Sequence, residues 1–248
     1  MKAVLIKLAL VASALAAPAS AGECVVLLHG LARGAGSMEP LAEALEDAGY
    51  FTVNLGYPSR EKPIEVLAES TVPEGLQRCE GRSPVHFVTH SMGGILVRQF
   101  LETHRLPELG RVVMLGPPNQ GSEVVDTLGD VPGFTWLNGT AGLQLGTEAD
   151  GLVHGLGPAD FDLGIIAGNR SVNLILSGII PGEDDGKVSV ERARLDGMHD
   201  FMVLPVTHTF MMRDDEVIRQ VIHFLGYGRF YRSPSPVVSD DLSGNDGQ

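Results

Sequence analysis

Val88-Thr89-His90-Ser91-Met92-Gly93-Gly94 is the stretch around which the chain is best read. An apolar run, Val85-His86-Phe87-Val88, leads into it as a strand, and a helix with apolar positions Ile95, Leu96, Phe100 and Leu101 leads out. Strand, sharp turn and helix form the setting that holds a Ser hydroxyl at the carboxyl edge of a parallel sheet. The N–H of the next residue, Met92, then faces the same space from a helix N-terminus. Crowding in such a turn brings the side chains two before and two after the Ser almost into contact. Gly93 satisfies the second Gly of G-x-S-x-G, whereas the bulkier Thr89 stands in place of the first, so a slightly more open turn is expected. Taken alone, Ser91 could equally be an ordinary helix N-cap.

The flanking chain alternates between strand and helix patterns. Cys24-Val-Val-Leu-Leu28 is a fully apolar strand of the kind covered on both faces, ending at His29-Gly30-Leu31. Ser37 is a plausible N-cap for a helix with Met38, Leu41, Leu45 and Ala48 on one stripe, stopped by Gly49. Phe51–Leu55 reads as the second strand. A helix starts at Pro63, and Pro73 is expected to kink or restart it. After the Ser turn, Arg111–Leu115 is the fourth strand. Leu163–Ala167 and Val172–Leu176 are both strand-like, and only one need join the main sheet. Phe201–Pro205 is the last strand, followed by an amphipathic helix from Asp214 to Leu225. This order predicts an α/β domain with a mainly parallel sheet.

Residues 119–162 keep no steady period and mix glycines with apolar side chains such as Phe134, Trp136, Leu137, Leu143 and Leu145. A connection of that length in a compact domain is usually functional, and a small cap over an apolar pocket is expected there. A loose excursion packed on the sheet edge is the plainer alternative.

At 248 residues, with 44% apolar side chains, the chain has the size and composition of one globular domain. Residues 1–21 read as a secretory signal peptide: Lys2 and Lys7 accompany an apolar run from Leu5 to Ala17, and Ala-Ser-Ala at 19–21 suits cleavage. The run is too short for a transmembrane span, and no later stretch is long and apolar enough for one. From 229 the chain is expected to be a disordered tail. A net charge of −13 argues against nucleic acid and anionic membranes as partners. Export, to a periplasm or beyond the cell, is the expected destination, and the oligomeric state is left open.

A Ser hydroxyl becomes a nucleophile only when a base accepts its proton and a third group orients that base. The chain supplies candidates in the order Ser, acid, His. Gly182-Glu-Asp-Asp-Gly-Lys-Val-Ser-Val190 follows the strand-like Leu174–Leu176, and Val206-Thr207-His208-Thr209 follows the last strand. Both fall at carboxyl ends of strands, where open α/β sheets bind ligands. Asp185, directly before Gly186, is preferred to its neighbour Asp184. His208 is preferred to His199, which precedes the last strand. His86 and His90 are four apart on a strand, so the metal-binding logic of a helical H-x-x-x-H does not apply. His90 should point away from Ser91 into a packed or hydrogen-bonded role, and His29 should brace the loop after the first strand.

Together, His29-Gly30, Thr-His-Ser91-Met-Gly-Gly, Asp185-Gly-Lys-Val and Val-Thr-His208 resemble the α/β-hydrolase family, in particular its small bacterial lipases and esterases, over about 24–225. The resemblance implies a minimal version of that fold, a sheet of about six strands in a domain spanning 22–228. It implies a Ser91 nucleophile, a His208 base, an Asp185 orienting acid, and an oxyanion hole from the N–H groups of Leu31 and Met92. The implied activity is carboxylic-ester hydrolysis on ester or lipid substrates, with no metal or organic cofactor. Acyltransferase, thioesterase and amidase chemistry would use the same residues, and a non-catalytic binding protein on the same scaffold is the alternative of another class. In the family's sheet the strands begun by Cys24 and preceded by Cys79 are neighbours, which implies a Cys24–Cys79 disulfide. Two unpaired buried thiols are the alternative.

Overall fold

The computed structural model describes residues 22–172 and 174–233. The expected signal peptide at 1–21 and residues 234–248 of the expected tail lie outside the described residues. Strand β1 is Cys24–Leu28; after a 3-10 turn at Ala35–Ser37 come helix α1 (Glu39–Asp47), β2 (Phe51–Leu55) and α2 (Ile64–Arg78). Next are β3 (Val85–His90), α3 (Met92–Thr103) and β4 (Leu109–Leu115). Helices α4 (Glu123–Leu128), α5 (Phe134–Leu143) and α6 (Leu152–Gly155) precede β5 (Leu163–Gly168). The chain continues with α7 (Leu174–Ser177), α8 (Val190–Ala193), β6 (Asp200–Leu204) and α9 (Asp215–Tyr227).

The six strands pair in the order β2-β1-β3-β4-β5-β6, all parallel. Period-two alternation within each strand divides the core into two layers. Val26, Leu28, Phe87, Val112, Met114 and Ile165 face the layer that holds Leu67 and Val72 of α2 and Ile95 and Leu96 of α3. Val25, Leu27, Val88, Val113, Leu115 and Ile166 face Leu41 and Leu45 of α1 and Val217, Val221 and Phe224 of α9. Burial on both faces is why these strands are continuous apolar runs. The strand order reverses between β1 and β3, so a crevice opens at their carboxyl ends, the general ligand position of such sheets.

Four details differ from the sequence expectations. Met38, not Ser37, caps α1, because Ser37 is taken into the preceding 3-10 turn. Helix α2 runs through Pro73 without a restart. Of the two strand-like runs, Leu163–Gly168 joins the sheet and Leu174–Ser177 is a helical turn, with exposed Val172 and Ile175 around it. The packed unit also extends past 228. Phe230 is buried beside Phe224, Tyr231 N–H donates to Gln220 Oε1 at 2.7 Å, and Arg232 pairs with Asp200 at 2.7 Å. Disorder-prone composition begins only at Ser233; the aromatic Phe230 and Tyr231 before it have apolar area to bury.

Cys24, at the start of β1, is bonded to Cys79, the residue after α2, with Cα atoms 5.8 Å apart. Closing a loop of 55 residues stabilises the fold by roughly 4 kcal/mol in the chain-entropy model. Among the described residues no helix is long and apolar enough to cross a membrane.

Candidate active site

Ser91 sits between β3 and α3 at φ 53° and ψ −123°, a strained backbone geometry for a residue with a side chain. The strain is held by packing on both sides of the turn. A Cβ on Gly93 would lie 2.6 Å from the Leu28 carbonyl oxygen and 2.9 Å from that of His29, so α3 can leave only because residue 93 is bare. Thr89 meets the next glycine instead. A Cβ on Gly94 would stand 3.2 Å from the Thr89 hydroxyl and 3.0 Å from the Met114 sulfur. The bulk missing from Gly94 accommodates the Thr two residues before Ser91.

Ser91 Oγ and His208 Nε2 are 3.0 Å apart, and His208 Nδ1 lies 2.7 Å from Asp185 Oδ2. All three residues are buried. Asp185 is locked by its second oxygen, which accepts from the N–H groups of Lys187 at 3.0 Å and Val188 at 2.9 Å. Its carbonyl accepts from the His208 N–H at 2.9 Å, tying the two loops together by backbone as well as side chain. Asp184 turns elsewhere, accepting from the Ser177 hydroxyl at 2.8 Å and the Gly186 N–H at 2.7 Å. Gly116, at φ 54°, makes room for the pair: a Cβ there would lie 2.9 Å from Asp185 Oδ2 and 3.1 Å from His208 Nδ1. His199 is half exposed beside Asp162, remote in role from this row.

Leu31 borders the cavity next to Ser91, and Met92 follows Ser91 in the chain. Met92 is the first residue of α3, so its N–H has no intrahelical acceptor. Leu31 lies in the turn after β1, where Ala32 takes φ 54° and its N–H donates to the Ser59 hydroxyl at 3.1 Å. His29 holds that turn from below. It stacks on Tyr57 with ring centroids 4.1 Å apart, accepts the Tyr57 N–H at Nε2 at 3.2 Å, and its carbonyl accepts the Tyr57 hydroxyl. Burial lowers the His29 pKa. Gly30 lets the loop approach, since a Cβ there would be 3.0 Å from Ser91 Cβ.

His90 takes the packed, hydrogen-bonded role expected of it. Its Nε2–H donates to the His208 carbonyl at 2.9 Å, and the two rings lie 4.8 Å apart. Burial, and then the neighbouring His208, push its pKa well below the usual imidazole value. His90 is therefore a neutral brace under the His208 loop. His90 is the last residue of β3 and borders the pocket from the strand's end.

The family follows from this geometry and one comparison. A sequence profile described as the alpha/beta hydrolase family matches residues 25–223. The chain belongs to the alpha/beta hydrolase family. No curated protein matches by sequence. Among solved structures, this hydrolase is similar to the propeptide form of the Bacillus licheniformis lipase BlEst2, at TM-score 0.69 and 19% identity. That match covers 88% of this chain but 53% of the lipase chain, so the hydrolase spans about half of that longer form. Against the mature form of the same lipase the TM-score is 0.64 at 20% identity, covering 85% and 94% of the two chains. A metagenomic carboxyl esterase, MGS0156, matches at TM-score 0.57 and 20% identity, over 77% of this chain and 65% of that one. At such identities the likeness is one of fold.

Above the row lies a cavity of about 240 Å³ bordered by Ser91 and His208. Its far wall is apolar and comes from the hydrolase's 119–157 segment, through Val125, Leu128, Phe134, Leu137 and Leu145. That segment holds the short helices α4, α5 and α6, with α5 broken at Gly139 where the chain presses on the Arg60 carbonyl. Trp136 is 84% exposed on its outer side. Arg98, buried on α3, anchors the segment's two ends. Its guanidinium donates to the Asn119 carbonyl at 2.9 Å and to the Leu156 carbonyl at 3.0 Å, and burial pushes its pKa down to about 10. Sequence reading passed over Arg98, although it lies on the stripe of Gly94 and Leu101, the inner face of α3.

Proposed function

We propose that this hydrolase cleaves carboxylic esters through an acyl-enzyme on Ser91, with His208 as base and Asp185 as orienting acid. The continuous hydrogen-bonded row from the Ser91 hydroxyl through His208 to Asp185, at 3.0 and 2.7 Å, carries the reading. His208 Nε2 accepts the Ser91 proton as Oγ attacks the ester carbonyl carbon. The tetrahedral oxyanion takes hydrogen bonds from the N–H groups of Leu31 and Met92, each such donor worth about 3 kcal/mol in the transition state. The C–O bond to the alcohol breaks as the imidazolium returns its proton to the leaving oxygen. Water then attacks the acyl-Ser91 carbonyl, His208 takes its proton, and the acid departs with Ser91 restored. The scheme uses side chains and backbone already present and calls on no cofactor. The apolar wall opposite Ser91 supports an acyl chain as the apolar part of the substrate, and the lipase and esterase relatives in fold support the ester. The Cys24–Cys79 bond supports export to an oxidising compartment.

Hydrolysis of p-nitrophenyl esters of graded acyl length tests the proposal, with Ser91→Ala as the control. Wild-type turnover should exceed that of Ser91→Ala by at least about 10³-fold. Equal rates would overturn the reading.

A further inference from the structure

The cavity over Ser91 contradicts the charge of the chain around it. The sequence carries 31 Asp and Glu against 18 Lys and Arg, yet among the described residues bordering the cavity there is no carboxylate and there are two cations, Arg33 and Lys187. They sit on the two loops that frame the reacting atoms. Arg33 is two residues beyond Leu31, and Lys187 is two beyond Asp185, in the Asp-Gly-Lys-Val run whose Lys the proton relay does not use. Neither takes part in an ion pair among the described residues, and both side chains are exposed at the mouth. The Lys187 backbone is fixed where it stands: its N–H donates to Asp185 and its carbonyl accepts from the Ser122 hydroxyl at 2.8 Å. Protein around the Lys187 ammonium, and next the Arg33 charge, lower its pKa. An anion between the two would relieve that repulsion.

The opposite wall, from Val125 to Leu145, is apolar and suits the acyl chain, whose first carbons beside the ester carry no charge. An anion within reach of both cations and of Ser91 must then belong to the alcohol part. We propose that Arg33 and Lys187 select esters whose alcohol carries a phosphate a few atoms from the scissile oxygen. The inference rests on the ester-hydrolase reading and names its substrate class. Arg33 and Lys187 are specificity residues in it, and the hydrolytic steps are unchanged.

The test compares kcat/KM for octanoylglycerol and octanoylglycerol 3-phosphate, followed by octanoate release. The wild type should favour the phosphate ester about ten-fold, roughly three-fold from each exposed cation. Added salt should shrink that ratio. Arg33→Gln and Lys187→Gln should each reduce the ratio, and the double variant should bring it near one. The charge-keeping pair Arg33→Lys with Lys187→Arg should retain a preference. A preference with dispersed octanoyl esters identifies a soluble phosphate ester as the source. One that emerges only with oleoyl esters in phosphatidylcholine vesicles identifies a bilayer lipid, and both results support the selection. A wild-type ratio of one or below in both the octanoyl and the oleoyl series overturns it while leaving the hydrolase reading intact. So does a double variant that loses both activities in equal proportion, which would make the cations a general field on the oxyanion. Turnover of neither ester overturns the hydrolase reading and this inference together.

Discussion

The turn at Ser91 and the segment from 119 to 157 border one cavity but are held in opposite ways. Around the turn, glycines at 30, 93, 94 and 116 let backbone, carboxylate and imidazole close to within van der Waals limits. Strained φ values persist at Ser91, which is buried between β3 and α3, and at Ala32, whose N–H is held by the Ser59 hydroxyl. The 119–157 segment has short helices and exposed Trp136 and Leu137; Ala141, Leu145 and Val153 reach the core, and polar attachments add Arg98 at its two ends, Ser122 to the Lys187 carbonyl, and Glu123 to Arg192 at 2.9 Å. Ser91, Asp185 and His208 are thus fixed by close packing on every side, and the facing wall by three buried apolar side chains and a few hydrogen bonds. Position is set on the rigid side and accommodation is left to the other.

That contrast can be broken in two places. Gly93→Ala drives a methyl into the Leu28 and His29 carbonyls, and should cost about 3 kcal/mol by overpacking against backbone that cannot retreat. Urea unfolding reads this directly, and an unchanged midpoint would show that the turn is not close-packed. Arg98→Met keeps much of the side-chain volume but strands the Asn119 and Leu156 carbonyls, at about 2 kcal/mol. Limited proteolysis should then cut within 119–157 before the sheet is attacked. Uniform cutting would mean that the segment and the sheet are one cooperative unit.

The smallest effect is set by pH. His29, His86 and His90 belong to the strands and to the loop after β1, and burial lowers the pKa of each. Below the unfolded value of about 6.5 the unfolded chain binds protons that the folded chain refuses. Stability therefore falls with acidification, by about 1 kcal/mol between pH 7 and pH 6. Urea midpoints at the two pH values measure it, and a midpoint that rises on acidification would contradict the neutral burial of these rings.

Much of the fold was legible because both faces of the sheet are covered. Cys24–Leu28 and Leu163–Gly168 are apolar runs with no competing period, and α9 shows a clean stripe. Val172–Leu176 misled for the same reason: a short apolar run does not declare its period, and Ile175 ends up in solvent. Ser91, Asp185 and His208 stood out because each follows an apolar run and the chemistry demands that trio. The disulfide partners were named through family resemblance, since nothing local to Cys24 or Cys79 specifies the other. A hydrogen-bonded role was legible for His90 but not its acceptor, a carbonyl 118 residues away, and Arg98 escaped because its role is contact with a carbonyl 21 residues away along the chain. Backbone acceptors leave no residue type to recognise.

The bare positions facing Ser91, Asp185 and His208 carry a practical consequence for anyone wishing to retune this hydrolase. Randomised libraries should leave 30, 93 and 116 untouched, because a side chain there would cost stability and push the neighbouring groups apart. Diversity belongs at 125, 128, 134 and 145, where a changed side chain reshapes the cavity wall while Ser91, His208 and Asp185 keep their alignment.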